Sequence, residues 1–354
     1  MQNQINVLVV DDSAFMRKSL SLLLESDPQI NVIDTATDGL IAIEKIKKLK
    51  PDIVTLDIEM PKMDGITALG IIMKECPTPV IMVSSLTIEG ADVTLKALEL
   101  GAVDFIPKEM SFVSVAITGI KEELVGKVKA IHKSKPLPKK VHAFNFKSDS
   151  RSVRSKIMTS RLPIMNYRAL ALGISTGGPI SLQKVIPLLS EKIRVPIFIV
   201  QHMPPKFTAS LAERLNSMSA LEVKEAEDGE IVRSSVVYIA PGGFHMTLQK
   251  DKLNNVVINI SESPDNVLHR PSVDVMLNSV HQIYGKNMLG VIMTGMGKDG
   301  LEGIKKLKST GGHCIAQNEE TCVVYGMPRA IVDNGLADIV ASLEEIPKLI
   351  NQAM

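Results

Sequence analysis

A chain of 354 residues is too long for one ordinary domain and suits two, each able to bury its own core. Hydrophobic residues at 45% and charged residues at 22% are globular proportions, and no apolar run is long enough to span a bilayer, which argues against membrane insertion. The net charge of +1 hides an asymmetry: between residues 133 and 161 nine basic side chains face one acid, Asp149, leaving +8 there and −7 elsewhere.

In chain order, Ile5–Val10 is a continuous apolar run, the pattern of a strand covered on both faces, and it ends at once in Asp11 and Asp12. This polar start followed by a short run is not a secretory pattern, and a cytoplasmic protein is expected. Helical periodicity begins at Ser13, and further strand-like runs fall at 30–34, Ile53–Asp57, 80–83 and 103–106, separated by amphipathic stretches. Five βα units predict an α/β unit over 1–130, a doubly wound parallel sheet of flavodoxin type with its ligand site at the carboxyl ends of the strands. Residues 131–165 lose periodicity and gather Pro136, Pro138, serines and the basic side chains, which predicts a flexible linker. With no helix-turn-helix or RNA-binding module behind it, the basic stretch is read as solvated chain, and no nucleic-acid partner is expected. A second α/β unit, built on a parallel sheet with some antiparallel additions, is expected over 166–354. Its strands are predicted at 167–174, 195–200, 236–240, 256–260, 288–293 and 313–316. Its helices are predicted at 180–189, Phe207–Met218, 272–283, 300–309 and 343–351. The order of its strands cannot be read from local pattern. Cys76, Cys314 and Cys322 have no CxxC spacing and read as reduced structural thiols.

Two sets of strand-end residues carry chemistry. Asp11 and Asp12 end the first strand and Asp57 ends the third, so three carboxylates converge at one mouth, where a hard cation such as Mg²⁺ would neutralise them. Ser84 and Lys108, at the ends of strands four and five, add a hydroxyl and an ammonium able to hold phosphoryl oxygens. The motifs VVDDS and TLDIEMPKMDG, with that hydroxyl and lysine, resemble the receiver domains of two-component systems. The resemblance implies that Asp57 accepts the phosphoryl group and that Asp12, Asp57 and the Glu59 carbonyl hold Mg²⁺ with help from Asp11. It also implies that Ser84 is the switch hydroxyl, Phe105 the switch aromatic and Lys108 the phosphate-pairing lysine. Pro107-Lys108-Glu109 departs from the family's usual Lys-Pro order, yet Lys108 keeps its offset from Phe105.

In the second half, Gly173-Ile174-Ser175-Thr176-Gly177 fits GxSxG at a strand-to-helix turn. A glycine-rich phosphate turn is the competing reading, but the lysine of a Walker motif is missing. His202 follows an apolar strand directly, and Asp299 lies in a glycine-flanked loop after another. Hydroxyl, imidazole and carboxylate at three strand ends point to a serine hydrolase in the order Ser, His, Asp. An α/β hydrolase using His269, His281 or His313 would need an acid placed before the histidine, and Asp265 and Asp274 lack comparable settings. A phospho-switched docking protein with an inert esterase site is a third reading.

GISTGGP, VQHMP, YIAPGGFHM, HRPSVDVM, MTGMGKDG and VYGMPRA resemble the catalytic domain of the protein-glutamate methylesterases of bacterial chemotaxis. This implies Ser175 as nucleophile, His202 as base, Asp299 as triad acid and the Met296 backbone N–H as oxyanion donor, with Thr176 beside the nucleophile and Arg270 at the rim. No metal is expected at this site. The resemblance further implies hydrolysis of glutamyl methyl esters on methyl-accepting chemotaxis receptors, with deamidation of receptor glutamines at the same site. The chemotaxis histidine kinase would be the phosphodonor, and the unphosphorylated receiver would cover the esterase mouth.

Overall fold

The computed structural model describes residues 4–108, 116–134 and 165–354. In the first unit β1 (Ile5–Val10), β2 (Ile30–Ala36), β3 (Ile53–Asp57), β4 (Val80–Ser84) and β5 (Asp104–Pro107) alternate with α1 (Ala14–Glu25), α2 (Gly39–Leu49), α3 (Gly65–Glu75), α4 (Ile88–Leu100) and α5 (Ala116–Ser134). The five strands are parallel, in the order β2-β1-β3-β4-β5. Strand order therefore reverses between β1 and β3, and a crevice opens at their carboxyl ends. Local chemistry starts several of these helices. Ser13, Asp38, Asp64 and Thr87 each accept a first-turn N–H, at α1, α2, α3 and α4 respectively.

The second unit contains β6 (Ala169–Ile174), β7 (Ile197–Gln201), β8 (Glu222–Glu225), β9 (Val236–Ile239), β10 (His245–Lys250), β11 (Val256–Ser261), β12 (Met288–Ile292), β13 (His313–Gln317) and β14 (Ile339–Ala341). Its helices are α6 (Gly178–Val185), α7 (Phe207–Met218), α8 (Val273–Tyr284), α9 (Leu301–Ser309), α10 (Met327–Asp333) and α11 (Ile346–Ala353). Seven parallel strands run in the order β14-β13-β12-β6-β7-β9-β8, while β10 and β11 form a separate antiparallel hairpin. The reversal of this sheet falls at β6, which has β7 on one side and β12 on the other. All six β6 residues are buried. Gly173 is needed for close packing, since a Cβ there would lie 2.3 Å from Val273 Cγ1.

Three local expectations differ from the fold. The helix expected over 180–189 ends at Val185 and tightens to a 3₁₀ turn at Ile186–Leu188, because Pro187 has no N–H to continue the ladder. Helix α5 runs through Ser134, past the expected linker start at 131, because the Ile131 side chain is fully buried. The remainder of that linker, 135–164, lies outside the described residues. Strands β8 and β10 carry no continuous apolar run, and that of β14 is only three residues long. Strand β8 is a sheet edge, where charged and polar side chains are tolerated.

The two units pack on each other. Phe105 of β5 stacks on Phe207 of α7 with ring centroids 4.7 Å apart and planes 7° from parallel. Glu99 of α4 pairs with Arg214 of α7, and Lys206 Nζ donates to the Leu86 carbonyl at 3.1 Å. One apolar cluster runs through this junction and includes both phenylalanines.

Candidate active site

At the first crevice, carboxylate oxygens of Asp11, Asp12 and Asp57 lie within 4.8 Å of one another. Asp11 and Asp57 are buried and Asp12 is exposed. Lys108 Nζ reaches Asp57 Oδ2 at 2.8 Å and Asp11 Oδ2 at 3.2 Å, so the changed position of the proline leaves the lysine at the cluster. Glu109 lies outside the described residues. Burial pushes the Asp57 carboxyl up to about 6, against the opposing Lys108 hydrogen bond, and Asp11 adds to the rise. Burial raises Asp11 as well, although its Oδ2 faces Lys108 Nζ, an ammonium it shares with Asp57. An under-satisfied acidic cluster of this kind is the donor set a hard divalent cation takes. Ser84 Oγ donates to the Gly90 carbonyl at 3.2 Å and accepts from Thr94 Oγ1 at 2.7 Å. Ser84, Asp57, Glu59 and Lys108 line a cavity of about 90 Å³. Phe105 is not at this cavity; it is buried in the junction with α7.

The second site forms at the reversal of the larger sheet. Ser175 follows β6, and its N–H donates to the Thr294 carbonyl at 2.9 Å. Gly177 then turns the chain into α6 at φ 76°, where a Cβ would lie 2.5 Å from Val323. His202 follows β7, and Asp299 lies in the loop after β12. His202 Nε2 and Asp299 Oδ2 are 2.9 Å apart. An ionised carboxylate only accepts, so Nε2 carries the proton and Nδ1, which is buried without a hydrogen-bond partner, holds the free lone pair.

Asp299 is held by much more than His202. The Val273 N–H donates to Oδ2 at 2.7 Å, while the Asp274 N–H and Ser272 Oγ donate to Oδ1 at 2.9 and 3.1 Å. These donors are the N-cap and first turn of α8, whose dipole favours an anion. Burial alone would raise the Asp299 pKa. The hydrogen bond and charge of His202, with the N–H groups of Asp274 and Val273, outweigh it and hold the carboxyl well below the usual range. Neighbouring Asp274 is pushed the other way, up to about 6, by burial and by the charge of Asp299. Paired carboxyls with opposite shifts are a feature of functional sites.

Ser175, Thr176, His202, Arg270, Met296 and Gly297 line a cavity of about 480 Å³. The Thr176 side chain is buried, and its Oγ1 has no hydrogen-bond partner among the described residues. A Cβ on Gly295 would lie 2.8 Å from Ser175 Cβ, which fixes the closeness of the loop carrying Met296 to the serine. Arg270 sits at the rim, bonded to Asp265 Oδ1 at 3.0 Å. Ordering of the other histidines disfavours the Ser, Asp, His alternative: His281 bonds Thr310 Oγ1, and His313 lies edge-on to Tyr167.

Three features of this site have no local sequence signal or only a faint one. His269 stacks on His202, with centroids 4.2 Å apart and planes 24° from parallel. Gln201 Nε2 donates to the carbonyls of Ser175 and His202, tying both turns together; a polar residue closing an apolar strand was its only trace. Finally, the receiver supplies Asp104, Phe105, Glu122, Glu123 and Lys127 to the same cavity wall. Lys127 Nζ binds Glu123 Oε1 at 2.9 Å, Asp104 Oδ2 at 3.1 Å and the Phe105 carbonyl at 2.6 Å.

Comparisons with known proteins cover both units. Residues 170–350 match the CheB methylesterase family, and residues 7–116 match the response regulator receiver domain. A protein-glutamate methylesterase/protein-glutamine glutaminase of Oleidesulfovibrio alaskensis is 48% identical over 99% of both chains. One of the same name from Thermotoga maritima is 47% identical over 97% of both. The chain belongs to the CheB methylesterase family. The crystal structure of the Thermotoga maritima CheB methylesterase catalytic domain, at 47% identity, covers 53% of this chain and all of that one with a TM-score of 0.51. The α/β fold of both units and the class of enzyme, a methylesterase with a receiver domain, agree with the sequence reading.

Burial, followed by the adjacent His202, lowers the His269 pKa to about 4. The folded state therefore resists protonating this ring, so its contribution is constant above about pH 6.5 and stability is lost as pH falls towards 4. His269→Phe keeps a stacking ring and removes that titration. Urea unfolding should give parallel stabilities above pH 7, with the wild type losing on the order of 1–2 kcal/mol relative to the variant between pH 6.5 and 4. A constant difference across that range would contradict a neutral His269.

Proposed function

We propose that the chain hydrolyses γ-glutamyl methyl esters on the cytoplasmic helices of methyl-accepting chemotaxis receptors, and deamidates receptor glutamines at the same site, under control of phosphorylation at Asp57. The observation that carries this reading is the His202–Asp299 hydrogen bond beside Ser175, which leaves Nδ1 as the one imidazole nitrogen with a free lone pair.

In this reading Nδ1 takes the Ser175 proton while Oγ attacks the ester carbonyl. Asp299 stabilises the imidazolium without becoming protonated. The Met296 N–H meets the oxyanion, with Thr176 beside the nucleophile and Arg270 at the rim of the substrate path. Collapse breaks the bond to the methoxy oxygen, which leaves as methanol with the proton from His202. Water, deprotonated by His202, then cleaves the acyl-serine and frees the glutamate carboxylate. For a glutamine substrate the leaving group is ammonia. No metal takes part at this site.

Asp57 is the phosphoryl acceptor in this scheme, with a chemotaxis histidine kinase as donor. Mg²⁺ bound by Asp12, Asp57 and the Glu59 carbonyl, with Asp11 assisting, would offset the charge gathered there; three clustered carboxylates, two of them sharing the Lys108 ammonium, fit such an ion. Lys108 and Ser84 are placed to hold phosphoryl oxygens. Control follows from the cover over the esterase mouth. Phe105 is stacked on Phe207 and its carbonyl accepts a hydrogen bond from Lys127 Nζ, so a change of the switch aromatic acts directly on the junction. The protein acts in the cytoplasm.

Two measurements check these claims. Methanol release from methylated receptor membranes should fall about a thousandfold or more in Ser175→Ala; an undiminished rate would remove Ser175 from the reaction. For the cover, Glu99→Arg sets two cations against each other and should raise the unphosphorylated rate several-fold, with Arg214→Glu in the same chain restoring it. If the charge reversal leaves the basal rate unchanged, the junction does not restrain the esterase.

A further inference from the structure

Helices α8 and α9 cap each other across the second site. Asp299, two residues before α9, accepts N–H groups from the first turn of α8. In return, Asp274, in the first turn of α8, accepts the Gly303 N–H of α9 through Oδ1 at 2.7 Å. The N-cap of α9 is Gly300, at φ 97°, which has no side chain to do this itself. Close contact between the helices makes the exchange possible, because a Cβ on Gly303 would lie 2.6 Å from Leu277 Cβ and 3.3 Å from Asp274 Oδ1.

We propose that Asp274 is a positioning residue for the hydrolytic site: by capping α9 from α8 it fixes the glycine-flanked loop that carries Asp299. This rests on the triad reading above. The loop between Met293 and α9 contains Gly295, Gly297 and Gly300, and nothing covalent fixes where Asp299 sits within it. The Asp299 contacts to Ser272, Val273 and Asp274 hold one side of that loop, and the Asp274–Gly303 bond holds the other. Without the second bond the start of α9 is free to shift relative to α8. Misplacement of a catalytic group by about 1 Å can cost about a hundredfold in rate. Asp274 does not contact substrate, so its loss acts on turnover and leaves ester binding alone.

The test is hydrolysis of p-nitrophenyl acetate by the full chain, with the folded fraction counted by fluorophosphonate titration of active sites. Asp274→Ala should lower kcat tenfold or more while KM changes less than twofold. Asp274→Asn, whose amide oxygen still accepts the Gly303 N–H, should recover kcat to within about threefold of the wild type. Should the alanine variant fail to fold, Asp274→Ser, too short to bridge to Gly303, carries the same expectation. A wild-type kcat in the alanine or serine variant would overturn the inference, as would an asparagine variant as slow as alanine. Asp299→Ala separates the two claims: if it too stays active the triad reading fails, whereas a dead Asp299→Ala beside a fully active Asp274→Ala sinks only the role of Asp274.

Discussion

The second half of the molecule is organised around one buried anion. An ionised carboxylate withdrawn from water is unfavourable by several kcal/mol unless charges and hydrogen bonds replace the lost solvent. Asp299 obtains that replacement from His202 on one side and from the N-terminus of α8 on the other. The arrangement fixes the tautomer of His202, with the proton on Nε2 and the lone pair on Nδ1. Everything chemical at this site follows from that carboxylate remaining charged and in place.

Sheet topology makes the meeting possible. Each site lies at a reversal of strand order, around β1 in one sheet and around β6 in the other. In the receiver it brings the ends of β1 and β3 together, and with them Asp11, Asp12 and Asp57. In the esterase unit it sets β6 between β7 and β12, so that loops far apart in sequence deliver Ser175, His202 and Asp299 to one mouth. The same architecture serves two unrelated chemistries because the strand ends, not the sheets, carry the reacting groups. The two units meet at the packed junction of Phe105, Lys127 and Phe207.

Much of this was readable from local pattern. Carboxylates ending apolar runs, a serine among glycines and a histidine directly after a strand are signals confined to a few residues. The unread parts all depend on contacts distant in sequence. Strand order in the second sheet is set by pairing, and edge strands such as Glu222–Glu225 have no apolar run to betray them. The stacking of His269 on His202 joins positions 67 apart in a chain that folds through a separate hairpin between them, which no periodicity encodes. Likewise, α5 reads as an ordinary amphipathic helix, and only docking of the two units turns Glu123 and Lys127 into walls of the esterase cavity.

The central claim is that two sites on one chain are linked, with phosphorylation at Asp57 governing the reactivity of Ser175. Time-resolved mass spectrometry of the full chain reacting with a fluorophosphonate tests it most directly. The account predicts a single adduct on Ser175, forming several-fold faster after incubation with acetyl phosphate and Mg²⁺, with no acceleration in Asp57→Asn. An adduct on another residue, or a Ser175 rate indifferent to the phosphodonor, would contradict it.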